Sequence, residues 1–251
     1  PRRAIPLTTE GEAKSLRHRI LHHFAKRWPF YLAFALLGLL IADQLHPMGW
    51  TGVFSAQQSA HTLVLDAGHG GFDGGAVSPN GVTEQQINLS IAGKTRDLAG
   101  LFGVPCVLTR TDEGALDYEP GRTVRENKVA DIQARAHICE KTENPVFVSI
   151  HLNKFEQSQY FGAQVFYGAA DPDSRVLAEA IQAALVQGID NGNTRAAKPA
   201  GDSIYLMRRL TCPAVIVECG FLSNPEEEAD LCRDSYQTQL AACILAGYLQ
   251  A

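Results

Sequence analysis

From residue 62 onward the chain alternates between short apolar runs and longer stretches with helical spacing. That alternation restricts the fold more than any other feature. Strand-like runs occupy 61–65, 106–109, 146–150, 163–167 and 214–218, and helix-like stretches fall at about 84–102, 122–141, 173–190 and 236–250. In the third of these stretches Val176, Leu177, Ala180, Ile181, Ala184 and Leu185 recur at three- and four-residue spacing, which lays them on one apolar face. Asp171-Pro172-Asp173-Ser174 just before it is a helix-start signal. Strands alternating with helices predict an α/β domain over 62–251: a mostly parallel sheet with helices on both faces. A stretch of that length is enough for a full core.

The first 60 residues differ in character. Residues 28–42 carry no charge, and Arg2, Arg3, Lys14, Arg17, Arg19, Lys26 and Arg27 precede them against only Glu10 and Glu12. The apolar segment is shorter than the ~20 residues of a typical spanning helix, with Trp28 and Tyr31 suited to an interface. Basic residues ahead of it predict a cytoplasmic segment at 1–27, a signal-anchor or signal-peptide core at 28–42, a polar linker at 43–61, and an exported domain beyond. No small-x-small cleavage site follows Ala42, which favours an uncleaved membrane anchor.

A net charge of −5 gives no basic footprint for a nucleic-acid partner. None of the six cysteines (Cys106, Cys139, Cys212, Cys219, Cys232 and Cys243) forms a Cys-x-x-Cys pair, so a zinc ribbon is not expected. An even count in an exported domain permits disulfides, and spacing alone leaves their pairing open.

The chemistry-bearing residues cluster where this fold would gather them. His69 lies in the glycine-rich stretch Asp66-Ala67-Gly68-His69-Gly70-Gly71 after the apolar run Leu63-Val64-Leu65. Glu84 opens the first helical stretch, His151 follows Val146–Ile150, and Glu218 follows Ala214–Val217. In parallel sheets reactive groups collect beyond the carboxyl ends of the strands, which sends His69, His151 and Glu218 to one rim. Two histidines, a glutamate and a spare glutamate are the inventory of a catalytic zinc site with its general base. Each has a plainer reading alone: an exposed loop histidine, a helix-start carboxylate, a hydrogen-bonded strand-end histidine. Glu218 is harder to dismiss, because a carboxylate closing an apolar strand is costly to bury without a partner or a task. His18, His22, His23, His46, His61 and His137 lie outside this pattern.

Asp66–Gly71 with Glu84, Ser149-Ile150-His151-Leu152-Asn153, and Val217-Glu218-Cys219-Gly220-Phe221-Leu222-Ser223-Asn224-Pro225 resemble the zinc N-acetylmuramoyl-L-alanine amidases of bacterial cell walls. The resemblance spans about residues 62–250, with Ala67 where a proline is usual. Segments 149–155, 160–167 and 190–195 are similar to the germination-specific subgroup. The resemblance implies zinc ligation by His69, Glu84 and His151, with Glu218 as the catalytic glutamate. It implies hydrolysis of the amide between the lactyl group of muramic acid and L-alanine in peptidoglycan, in spore cortex for the subgroup. Ser149, Asn153, Arg110 and Arg135 are candidate substrate contacts, the arginines through stem-peptide carboxylates. Localisation would be extracytoplasmic, and no protein partner is indicated. Two other classes fit less well: a carboxypeptidase-like zinc peptidase, and a non-catalytic membrane-tethered wall-binding module that would need neither Glu84 nor Glu218.

Overall fold

The computed structural model describes residues 61–251. The segments expected at 1–27 and 28–42, and all but the last residue of the linker at 43–61, lie outside them. Among the described residues no helix is long and apolar enough to cross a membrane.

The described residues form six strands and six helices in the order β1 (Thr62–Ala67), α1 (Glu84–Leu101), β2 (Cys106–Leu108), α2 (Val124–Lys141), β3 (Pro145–Asn153), β4 (Gln164–Tyr167), α3 (Asp173–Ile189), β5 (Lys198–Pro199), α4 (Tyr205–Arg209), β6 (Ala214–Phe221), α5 (Pro225–Leu231) and α6 (Asp234–Gln250). They build one sheet of order β2-β1-β3-β6-β4-β5. Every pairing is parallel except β4 with β6. The mostly parallel sheet expected from the sequence is present.

Period-two alternation divides the strand side chains between two cores. Leu63, Leu65, Val148, Ile150, Val215 and Val217 pack on one face with Ile91 of α1, Ile181 of α3 and Ile244 of α6. Val64, Phe147, Ala214 and Ile216 pack on the other with Ala136 and Cys139 of α2 and Leu206 and Met207 of α4. Helices therefore cover both faces. In α3 the buried stripe is Leu177, Ile181 and Leu185, the four-residue spacing read from the sequence. α2 starts two residues later than expected because Thr123 caps it. The Thr123 side chain accepts from the Glu126 N–H, and the Glu126 side chain returns to the Thr123 N–H. β5, α4 and α5 were not legible in the sequence. Two, five and seven residues are too few to show a period, although Asn224-Pro225 does cap α5.

Two strands run further than the apolar pattern suggests. β3 continues to Asn153 and β6 to Phe221, so His151 and Glu218 lie within the strands and pair in register. They face α2 with Val64, Phe147 and Ile216, because residues two apart share a side. The six cysteines are free, and the Cys139 and Cys212 sulfurs stand 3.6 Å apart.

Candidate metal centre

The loop after β1 brings His69 to the C-terminal edge of the sheet in a left-handed conformation, φ 62°. That region costs a side chain of this kind about 1 kcal/mol or more and persists where the surroundings enforce it. Here they do. The Ala67 carbonyl accepts from Arg110 Nε and Arg135 Nη1, the Gly68 carbonyl from Arg110 Nη2 and Asn88 Nδ2, and the His69 carbonyl from Arg135 Nη2. Glycine is required where the loop meets the cluster. A Cβ on Gly68 would fall on the His151 ring, and one on Gly75 would stand 2.6 Å from Glu84 Oε2.

Glu84 is the first residue of α1, where the helix dipole favours a carboxylate. Its side chain is 4% exposed. Oε1 lies 3.3 Å from His69 Nε2 and 2.9 Å from His151 Nδ1, and it also accepts the Leu152 N–H. Oε2 accepts the Ala76 N–H. The ligand atoms of His69, Glu84 and His151 lie within 4.8 Å of one another. Three ligands ~2.1 Å from a tetrahedral metal stand roughly 3.4 Å apart. The observed contacts and the N, N, O donor set therefore fit a single divalent ion such as zinc. His69 Nδ1 faces Asp73 Oδ2 at 3.1 Å, and Lys128 Nζ holds Asp73 Oδ1 at 3.0 Å. A carboxylate on the far nitrogen fixes the tautomer that leaves Nε2 for the metal.

The electrostatics agree. Burial alone would push the His69 imidazolium down, but hydrogen bonds to Asp73 and Glu84 raise it to about 9. Burial would raise Glu84, and His151 and His69 overcome that and hold it well below the carboxylate range. The carboxylates thus demand positive charge at this point, from a proton or a metal.

Glu218 behaves differently. Burial raises its pKa, and neighbouring Glu84 adds to that against the opposing pull of His151 and His69. Its Oε2 is buried without a hydrogen-bond partner. Buried oxygens are nearly always paired, so an unpaired carboxylate oxygen beside a metal-type cluster makes Glu218 a candidate to meet a reacting molecule. A cavity of about 150 Å³ opens at His69 and His151 on the α2 side, lined also by Asp73, Lys128, Asp131 and Arg135.

The structure therefore brings His69, Glu84, His151 and Glu218 together as the sequence led one to expect. It places the other candidates differently. Ser149 is fully buried and donates to Asp66 Oδ2 at 2.6 Å. Arg135 pairs with Asp66 at 2.6 Å and Asp131 at 2.8 Å. Arg110 spends its donors on the carbonyls of Ala67, Gly68, Gln85 and Asp112. Both arginines are 3% exposed. Both brace the histidine loop through these internal hydrogen bonds, since a buried guanidinium is stable only with its donors satisfied. Asn153 lies partly exposed at the rim, its Oδ1 accepting the Lys154 N–H. Sequence reasoning gave no role to Asp73, whose signal was a carboxylate four residues after a loop histidine. It also gave none to Asp66, where Arg135, Ser149 and Thr109 converge.

Fold and site together define a class: an α/β domain with a His–Glu–His centre suited to a divalent metal and a separate buried carboxyl. Residues 63–250 match the family model described as N-acetylmuramoyl-L-alanine amidase, and the chain belongs to that family. It is an amidase acting on the peptidoglycan of the cell wall, a substrate that lies outside the cytoplasm. It is 32% identical over 221 residues to the germination-specific N-acetylmuramoyl-L-alanine amidase of Bacillus subtilis, covering 88% of this chain and 92% of that protein. The CwlD amidase from Clostridioides difficile, solved in complex with the GerS lipoprotein, is similar at TM-score 0.73 and 41% identity, covering 75% of this chain and 96% of that one. An N-acetylmuramoyl-L-alanine amidase of Nostoc punctiforme is similar at TM-score 0.66 and 29% identity, covering 77% and 99%.

Proposed function

We propose that His69, Glu84 and His151 hold one zinc ion and that Glu218 is the general base that cuts the lactyl–L-alanine amide. The observation that carries this reading is the unpartnered, buried Glu218 Oε2 beside the three-ligand cluster. Zinc bound there would lower the pKa of a water from 15.7 towards ~7 and polarise the lactyl carbonyl. Glu218 takes the proton of the attacking water and delivers it to the departing L-alanine nitrogen. A raised pKa suits the first half of this shuttle, because a carboxylate of higher pKa takes the water proton more readily than an ordinary one. Asp73 orients His69 throughout, and the Arg110–Arg135 brace keeps the loop in place.

Likeness to the germination-specific amidase of Bacillus subtilis over 92% of its length supports spore cortex as the substrate. Likeness to the Clostridioides difficile enzyme, solved with a lipoprotein, supports a lipoprotein partner. The apolar segment 28–42 would tether the domain to the membrane facing that wall. Two experiments test these claims. Zinc-loaded protein should release whole stem peptides from purified cortex, seen by mass spectrometry, while Glu218→Gln keeps its zinc and loses at least ~100-fold in turnover. A normal rate in that variant would remove Glu218 from the mechanism. A strain lacking the protein should make spores without muramic-δ-lactam, and normal lactam there would refute the cortex role alone.

A further inference from the structure

The segment 190–195 takes no part in the metal cluster, yet the fold holds it closely. Asp190 ends α3 in the left-handed conformation. The buried Asn193 amide donates to the Ala163 carbonyl at 2.8 Å and accepts the Arg195 N–H at 3.0 Å. This pins Arg195 at its backbone. Its Nε donates to the Phe161 carbonyl at 2.8 Å, its Nη1 to Gln164 Oε1 at 3.1 Å, and its guanidinium carbon lies 4.7 Å from the centre of the Phe221 ring. Stacking on an aromatic face fixes the plane of the guanidinium.

Gln164 is the register partner of Glu218 across the antiparallel pair β4 and β6, and Glu218 is that of His151 across β6 and β3. Directly opposed residues share a face, so His151, Glu218 and Gln164 form one row with Arg195 at its end. Strands ~4.8 Å apart put the backbone of Gln164 roughly 10 Å from that of His151. Arg195 also differs from the two buried arginines. Arg110 and Arg135 each make four hydrogen bonds within the protein. Arg195 makes two through its side chain and is partly exposed, and its Nη2 donates to nothing among the described residues. Glu227 feels its charge, but the Glu227 oxygens are occupied by the Gly162 and Phe221 N–H groups.

We infer that Arg195 binds a carboxylate of the stem peptide on the leaving-group side of the scissile amide, an inference that rests on the amidase reading above. A peptide advances ~3.3–3.6 Å per residue. With the amide over His151 and Glu218, the row reaches two to three residues along the stem. A guanidinium with an open edge is matched to a carboxylate there, whereas the N-acetylated sugars on the other side of the amide are neutral. Arg195 thus takes the role that the sequence suggested for Arg110 and Arg135.

The test compares two N-acetylmuramoyl tripeptides with the zinc-loaded protein, one with every stem carboxylate free and one with each as the carboxamide. The wild type should prefer the free acid by at least ~10-fold in kcat/KM, the scale of a hydrogen bond to a charged group. Arg195→Gln should abolish that preference mainly through KM, and Arg195→Lys should restore part of it. Equal wild-type rates on the two substrates would overturn the inference while leaving the amidase reading intact. So would an Arg195→Gln variant that slows both substrates by one factor, which is the mark of a structural role. Cleavage of neither substrate would overturn the amidase reading and this inference with it. The wild-type comparison needs no variant, so a variant that fails to fold leaves the inference exposed.

Discussion

Replacing Arg135 tests the claim that the histidine loop is braced from behind. The Arg135 side chain is 4% exposed and that of its partner Asp66 1%. Removing the guanidinium leaves a buried carboxylate with only the Ser149 and Thr109 hydroxyls and strips a donor from the Ala67 and His69 carbonyls. Breaking a buried pair by deleting one partner costs about 3–5 kcal/mol. An unsatisfied buried carbonyl costs a further 1–3 kcal/mol by general scale, but these losses share a network and do not add, so Arg135→Ala should lose about 4 kcal/mol. At a urea m-value near ~2 kcal/mol per molar, the unfolding midpoint falls by about 2 M. Metal-free protein should be used, so that ligand binding does not mask the loss. Adding Asp66→Asn should recover part of it, because the stranded charge goes as well. A midpoint within about 0.3 M of wild type for Arg135→Ala would refute the brace.

Asp73→Asn should weaken zinc binding ~10–100-fold, measured by competition with a chromophoric chelator, with the unfolding midpoint little changed. Unaltered affinity would mean that Asp73 does not set the His69 tautomer. Gly68→Ala should lose stoichiometric zinc, since the new Cβ collides with the His151 ring. Full zinc content would show that the ring can move aside. Acid should destabilise the domain through Asp66: burial would raise its pKa, but Arg135 and the two hydroxyls hold it below the ordinary value of 3.8. A depressed folded pKa gives stability that is complete above the unfolded value and is lost as pH falls through the folded one, so denaturation midpoints should drop below about pH 4. An Asp66→Asn variant should lose less over that range, and an identical slope would acquit Asp66.

The residue types of the centre were legible in the sequence because local pattern sets them. An apolar run followed by a glycine loop places a histidine at a sheet edge, and a strand periodicity of two decides which side of the sheet Glu218 faces. The strand–helix alternation likewise determined an α/β sheet covered on both faces. The sequence could not say which arginines are spent and which is open. Arg135 and Asp66 meet across 69 positions, and Arg110 and Ala67 across 43. Whether a guanidinium faces a carbonyl or a substrate depends on where those distant segments pack, and nothing in its own neighbourhood encodes that. The row of His151, Glu218 and Gln164 is likewise a matter of register between β3, β6 and β4, which only pairing in three dimensions sets. The chain's local chemistry determined which residues are suited to serve as ligands and base. Tertiary packing decided their supports and, through Arg195, where the rest of the substrate would be held.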